Sequence, residues 1–134
     1  MTANYDVIVV GGGPVGAACA RELARAGRRV AVVEAGGEMG QAWRAAAGML
    51  APQIEAHGDT PLLELGLAGR ELYSTLAPEL REATGIDIGL WREGIASVAA
   101  SEAEAAELRS QVAWQRQHSH LSDWLDADET REVG

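Results

Sequence analysis

The stretch "YDVIVVGGGPVGAACARELARAGRRVAVVE", residues 5–34, decides the fold class. Its first part, "YDVIVV", is rich in β-branched residues and predicts a strand that is buried on both faces of a parallel sheet. "AACARELARAG" then carries small and apolar residues at helical spacing and ends on Gly27, a typical residue after a helix. "RVAVVE" predicts a second buried strand. The order strand, tight turn, helix, strand predicts the first βαβ unit of a doubly wound α/β sheet.

The loop between the first strand and the helix is "GGGPVG", residues 11–16. Gly11 permits a sharp turn, Gly13 lets a diphosphate approach the backbone, and Gly16 lets the helix pack close to the strands. The free amides and positive dipole at the helix start would hold the diphosphate. Glu34, after the second strand, is placed to accept from ribose hydroxyls and to repel a 2′-phosphate. We therefore expect a site for an ADP-containing dinucleotide other than NADP.

The segment after Glu34 bears on the choice between NAD and FAD, which share the same ADP half. Residues 35–59 contain five glycines and no sustained periodicity, so we expect a loop with a short helical turn. In a nicotinamide domain the second strand normally leads into another crossover helix. A long apolar loop at this place favours a flavin.

Further along the chain, a helix is predicted from Pro61 to about Thr84. Thr60 is a suitable N-cap and Pro61 suits the first helical position. Pro78 is expected to break or restart this helix. "IDIGLWREGIASVA", residues 86–99, predicts two short strands around a glycine-containing turn.

Two capping boxes predict two further helices. The first pairs Ser101 with Glu104, and the second pairs Asp126 with Glu129.

Composition and charge exclude several functions. The formal net charge is −9, which disfavours nucleic acid as a partner. A single cysteine, Cys19, excludes an internal disulfide and is too few for a structural zinc site, so no metal is expected. No apolar run approaches about 20 residues and the N-terminus is unlike a signal peptide. The prediction is a cytoplasmic location without membrane contact.

Three segments carry a resemblance to a known family. Residues 6–34 resemble the N-terminal FAD signature of the D-amino-acid-oxidase-like flavoprotein superfamily. "AAAGMLAPQ", residues 45–53, resembles the flavin-contacting segment of glycine oxidases of the ThiO type, which serve thiamine thiazole synthesis. "ELYSTLAPELREATGIDIGLWREGIASVA", residues 71–99, is similar to the continuation of that family.

The resemblance implies a Rossmann-like FAD-binding domain that runs into the start of an α+β substrate domain. Residues 1–84 would be the N-terminal part of the first, and residues 85–134 the beginning of the second. The implied reaction transfers a hydride from glycine or another small amine or amino acid to FAD, and dioxygen then yields hydrogen peroxide. Complete family members are more than twice as long and often oligomeric, so we expect an incomplete sequence and a possible homo-oligomer.

The resemblance also assigns cofactor contacts residue by residue. Three groups of residues would bind FAD, at its diphosphate, its adenosine ribose and its isoalloxazine respectively: Gly11, Gly13, Pro14, Val15 and Gly16; Glu34 and Ala35; Ala47, Gly48 and Met49. Family members often carry Ser or Thr before the alanine run, where this chain has Ala42, Trp43 and Arg44. Arg44 either supplies the phosphate contact as a cation or points to solvent.

Residues that match the family's catalytic machinery are not found, so no catalytic residue is assigned. Two alternatives to a glycine-oxidase-like enzyme stay open. One is another oxidase of the superfamily that acts on sarcosine or a D-amino acid. The other is an inactive FAD-binding fragment.

Overall fold

The computed structural model describes residues 4–37 and 41–133. The chain forms two compact units, of which the first ends at Met49 and the second begins at Leu50. The predicted domain boundary between residues 84 and 85 stays a prediction. Within the described ranges, no helix has the length and apolar character that crossing a membrane requires.

The first unit contains the predicted βαβ arrangement. Strand β1 spans Val7–Val10, helix α1 spans Pro14–Arg25 and strand β2 spans Val30–Val33. The strands are parallel, and their register pairs Val7 with Val30 and Val10 with Val33. Gly27 follows α1 at φ +77°, so the predicted glycine at the end of this helix is confirmed. A 3₁₀ turn at Ala42–Arg44 confirms the helical turn expected in the following loop.

The prediction that both strands are buried on both faces is wrong. In β1, Val7 and Val9 are half-buried, whereas Ile8 is 62% and Val10 85% exposed. The physical reason is that α1 covers the strands while the sheet has only two strands in the described part of the chain. An apolar sequence throughout a strand indicates that both of its faces will be packed against other elements, but those elements are not part of the strand's own sequence.

An ion pair joins the amino ends of the two strands. The Arg29 amide and Nε donate to Oδ2 of Asp6 at 2.9 and 3.1 Å, and Nη2 donates to Oδ1 at 2.8 Å. The Asp6 amide returns a bond of 2.8 Å to the Arg29 carbonyl. The side-chain bonds from Arg29 and then its backbone bond lower the pKa of Asp6. These contacts set the register of β2 against β1 at the end opposite the glycine loop.

The second unit is helical. Its helices are α2 (Pro52–Glu55), α3 (Pro61–Thr84), α4 (Glu102–Gln117) and α5 (Ala127–Val133).

Polar side chains of α4 hold the short helix α2. Gln115, which is 5% exposed, donates from Nε2 to the Gln53 carbonyl at 2.9 Å. Gln111 donates to the Ile54 carbonyl at 3.2 Å. Close packing completes the arrangement, because a Cβ on Gly66 of α3 would lie 2.8 Å from Cβ of Pro52.

The predicted N-caps are confirmed. Thr60 Oγ1 accepts from the Leu63 amide at 3.2 Å, at the start of α3. Asp126 and Glu129 bond each other's amides reciprocally, at 2.8 and 2.9 Å, at the start of α5.

The Ser101 cap is also present, with one difference from the predicted box. Ser101 Oγ accepts from the Glu104 amide at 3.2 Å, but the Glu104 carboxylate accepts from the amide of Ala100, one residue before the cap.

Two predictions in this unit are wrong. Helix α3 continues through Pro78 without a break. Proline removes the donor for the Ser74 carbonyl, but both residues are exposed, so solvent can pair that carbonyl. Residues 86–99 form no strand. An isolated two-stranded hairpin is marginally stable, and no other described strand lies in this unit to pair with one.

We expect Thr60→Ala to lower the free energy of unfolding by about 1 kcal/mol, because the Leu63 amide loses its acceptor. Thr75→Ala is the matched control, since Thr75 is exposed in the interior of α3 and bonds only the Leu72 carbonyl within its own helix. Urea unfolding followed by circular dichroism measures both. Equal effects of the two substitutions would contradict the capping role.

Candidate functional site

The glycine loop turns the chain from β1 into α1 within three residues. The Gly11 amide still bonds the Val33 carbonyl at 2.8 Å, and Gly11 then adopts φ +101°, which favours glycine. A Cβ on Gly16 would lie 2.0 Å from the Gly11 carbonyl oxygen and 3.4 Å from Cγ1 of Val9. Only a glycine at position 16 lets the first turn of α1 pack this closely on the strand end.

Helix α1 begins at Pro14, and no side chain caps its first amides. Gly13 is the N-cap, and Pro14 takes the first helical position. Val15 is 79% exposed. A Cβ on Gly13 would meet only Trp43 Cδ1, at 3.7 Å. The arrangement leaves backbone donors and a positive dipole end open to an anion.

Glu34 reaches back from the end of β2 to the glycine loop. Its Oε2 accepts from the Gly12 amide at 2.5 Å, and its Oε1 accepts from the Gly36 amide at 3.3 Å. The bond from Gly12 and then the bond from Gly36 lower the pKa of Glu34. The carboxylate is exposed and stays ionised beside the loop. The carboxylate could accept hydrogen bonds from ribose hydroxyls, whereas it would repel a 2′-phosphate.

Trp43 also lies close to the glycine loop, and Arg44 lies beside the Trp43 ring. The Trp43 indole lies beside Gly13, and the Arg44 guanidinium carbon lies 5.4 Å from the centroid of the indole ring. Sequence reasoning singled out Arg44 but missed Trp43. The available signal was a large aromatic residue beside a cation, in the loop that follows β2.

The structure does not bring all predicted cofactor residues into contact with one another. Ala35 follows Glu34 and is exposed, and Ala47, Gly48 and Met49 lie in the exposed loop after the 3₁₀ turn. Gly48 has φ +79°. Across residues 4–37 and 41–133, no hydrogen bond links Ala47, Gly48 or Met49 to the glycine loop. Their assignment to the isoalloxazine stays a prediction.

Comparison with known families identifies the class of protein. The family model described as "FAD dependent oxidoreductase" (DAO) matches residues 6–134. The chain therefore belongs to this family, whose cofactor is FAD. Residues of the chain fit the ADP half of that cofactor, because no side chain caps the start of α1, where a diphosphate would bind, and Glu34 is bonded to the adjacent glycine loop, where it could accept from a ribose.

Two individual relatives of this chain are glycine oxidases. The glycine oxidase of Geobacillus kaustophilus (strain HTA426) is 44% identical over 133 residues, which are 99% of this chain and 35% of that protein. The glycine oxidase of Bacillus licheniformis is 37% identical over 129 residues, covering 96% of this chain and 34% of the relative.

A solved structure supports the same fold. The crystal structure of glycine oxidase from Geobacillus kaustophilus matches with a TM-score of 0.91 at 44% identity, covering 98% of this chain and 35% of that one. The resemblance to this family and the α/β fold class are thereby confirmed. The chain spans about a third of the length of the relatives it matches.

We expect Gly16→Ala to destabilise the protein by about 1–3 kcal/mol, because the new methyl group would overlap the Gly11 carbonyl. Gly69→Ala in α3 is the control, since a Cβ there meets nothing within 4 Å and alanine favours a helix. Thermal unfolding of both variants gives the comparison. A Gly16→Ala variant as stable as the parent would disprove the close packing of α1 on β1.

We expect the Glu34 carboxylate to contribute stability that depends on pH. Its pKa is lowered by folding, so its contribution is present above the ordinary glutamate range and is lost as the pH falls towards the lowered pKa. Glu34→Gln should therefore be less stable than the parent near neutral pH and indistinguishable from it in acid. Urea unfolding between about pH 7 and pH 3 tests this. The exposed Glu82→Gln on α3 is the control, and an identical profile for both variants would contradict the role of Glu34.

Proposed function

We propose that this chain is the FAD-binding, N-terminal portion of an amine or amino-acid oxidase of the glycine-oxidase type. The observation that carries the proposal is the Glu34 carboxylate bonded to the Gly12 amide, beside the open start of α1. The glycine oxidases named above support the substrate class. Residues 1–84 would belong to the FAD-binding domain, and residues 85–134 would begin the substrate domain.

The chain's own residues would hold and orient the cofactor. The amides at the start of α1 would bind the diphosphate, and Glu34 would exchange its bond with the Gly12 amide for ribose hydroxyls. Ala47 and Gly48 have small or absent side chains, which would let backbone groups approach the isoalloxazine, and Met49 would be its apolar neighbour. FAD, when bound, accepts a hydride from the carbon next to the amine and passes the electrons to dioxygen.

The proposed substrate is glycine or a related small amine, and the proposed products are an imine, which hydrolyses to glyoxylate, and hydrogen peroxide. This chemistry would serve thiamine thiazole synthesis in the cytoplasm. Oxidation of sarcosine or a D-amino acid is the second candidate, and FAD binding without oxidase activity is the third. Because the chain spans about a third of the relative's length, the same experiment should also test the third candidate.

The test is FAD binding followed by a peroxide assay. We expect the chain to quench flavin fluorescence at equimolar FAD, and we expect the whole oxidase, of which this chain would be the N-terminal portion, to form peroxide faster with glycine than with sarcosine or D-alanine. A faster reaction with sarcosine or D-alanine would select the second candidate. Bound flavin without peroxide from any of the three amines would select the third. Failure to bind FAD would overturn the proposal.

A substitution at Gly13 separates binding from folding. Gly13 has φ −69°, and a Cβ there would meet Trp43 at an ordinary contact distance, so Gly13→Ala should fold normally. Its methyl group would stand where the diphosphate approaches the backbone, and we expect FAD affinity to fall at least about tenfold. Gly58→Ala, which adds a methyl group in open space, should bind FAD as the parent does. Undiminished FAD binding by Gly13→Ala would place the diphosphate elsewhere.

A further inference from the structure

Two backbone amides hold the two oxygens of the Glu34 carboxylate. The Gly12 amide donates to Oε2 at 2.5 Å, and the Gly36 amide donates to Oε1 at 3.3 Å. A Cβ built on Gly12 would lie 3.3 Å from Oε2 and 3.5 Å from Cβ of Glu34, so the side chain lies along the glycine loop. Because each oxygen has its own donor, the rotation of the carboxylate about its last side-chain bond is restricted.

Gly36 supplies the second of these bonds from an exposed position in the loop after β2. It has φ +74°, a conformation that favours glycine. Within the described part of the chain, a Cβ built there would meet nothing within 4 Å, so close packing does not require a glycine at this position. After the bond from Gly12, the bond from Gly36 is the next largest cause of the lowered pKa of Glu34.

Binding of a ribose would affect the two bonds differently. In the proposed function, Oε2 leaves the Gly12 amide to accept from a ribose hydroxyl. The Gly36 bond to Oε1 can persist during this exchange, because it engages the other oxygen and lies outside the glycine loop. It would then stop the carboxylate from turning away. A carboxylate held beside the ribose repels a 2′-phosphate, whereas a carboxylate that can turn away avoids the repulsion.

We propose that Gly36 is a positioning residue for nucleotide selectivity, whose amide holds Oε1 of Glu34 in place while Oε2 accepts from the ribose. The inference rests on the proposed function, because it needs a ribose beside the glycine loop. Gly36 itself makes no contact with the nucleotide in this proposal and acts through Glu34. The group that it helps to exclude is a phosphate on the 2′ position of the ribose.

The first experiment removes only the amide donor, in the ligand-free chain. Glycolic acid in place of Gly36 turns the N–H into an ester oxygen and adds no side chain. We expect the pKa of Glu34 to rise towards its ordinary range, because Oε1 loses its donor. A carbon-13 NMR titration of the Glu34 carboxyl carbon measures this change.

Glycolic acid in place of Gly37 is the matched control. Gly37 also has a positive φ, +96°, and across residues 4–37 and 41–133 its amide is not among the donors to Glu34. This ester should leave the pKa of Glu34 unchanged. An unchanged pKa in the Gly36 ester, or equal shifts in the two esters, would overturn the inference.

The second experiment measures selectivity. Isothermal titration of the whole chain compares ADP with 2′-phospho-ADP, which differs from it by a phosphate on the ribose. We expect the parent to prefer ADP, and we expect this preference to fall about fivefold in the Gly36 ester, because its carboxylate can turn away from the 2′-phosphate. The Gly37 ester should keep the preference of the parent.

The ratio of the two affinities distinguishes positioning from a general structural role. A loop that is merely loosened would weaken both ligands alike and leave their ratio unchanged, and that result would overturn the inference. Failure of the parent chain to bind ADP would instead overturn the proposed function. The two failures are therefore distinguishable.

Discussion

The close approach of Gly16 to the Gly11 carbonyl is the constraint on which the rest of the site depends. A Cβ at position 16 would lie 2.0 Å from that oxygen, so the contact is open to glycine alone. Because α1 starts against the end of β1, its N-cap, Gly13, lies at the carboxyl edge of the sheet. There, the uncapped amides of the first turn would suit an anion, although that turn has no charged side chain.

Strand register supplies the second half of the site. Val10 pairs with Val33, so Glu34, the residue after β2, comes level with the glycine loop and can bond the Gly12 amide. A shift of one residue would turn the Glu34 side chain to the other face of the sheet. The ion pair between Asp6 and Arg29 opposes such a shift from the far end of the strands. A surface ion pair of this kind adds little stability by itself, but here it favours the register that directs the Glu34 carboxylate to the glycine loop.

Local signals in the sequence predicted local structure well. The glycine spacing, the Thr60 and Asp126 caps and the glycine after α1 each depend on residues a few positions apart, and each is confirmed. The errors concern partners that a local pattern does not contain. Apolar strands were expected to be covered on both faces, and residues 86–99 were expected to pair as strands. Trp43 was missed for a related reason, since only folding places it beside Gly13, thirty positions earlier.

In the proposed site, backbone groups would provide affinity for a nucleotide, whereas the Glu34 side chain would provide selectivity. Backbone amides and the α1 dipole attract any phosphate, and on a chain of net charge −9 they must do so against the long-range field. Glu34 would add no affinity for phosphate, since its ionised carboxylate would repel one, but it would discriminate a ribose hydroxyl from a 2′-phosphate. Replacing Glu34 would therefore relax the choice of nucleotide while the diphosphate contact persists. An acidic protein could bind a dinucleotide in this way, because the attractive groups would lie within a few ångströms of the diphosphate, where the screened charges of the distant surface contribute little.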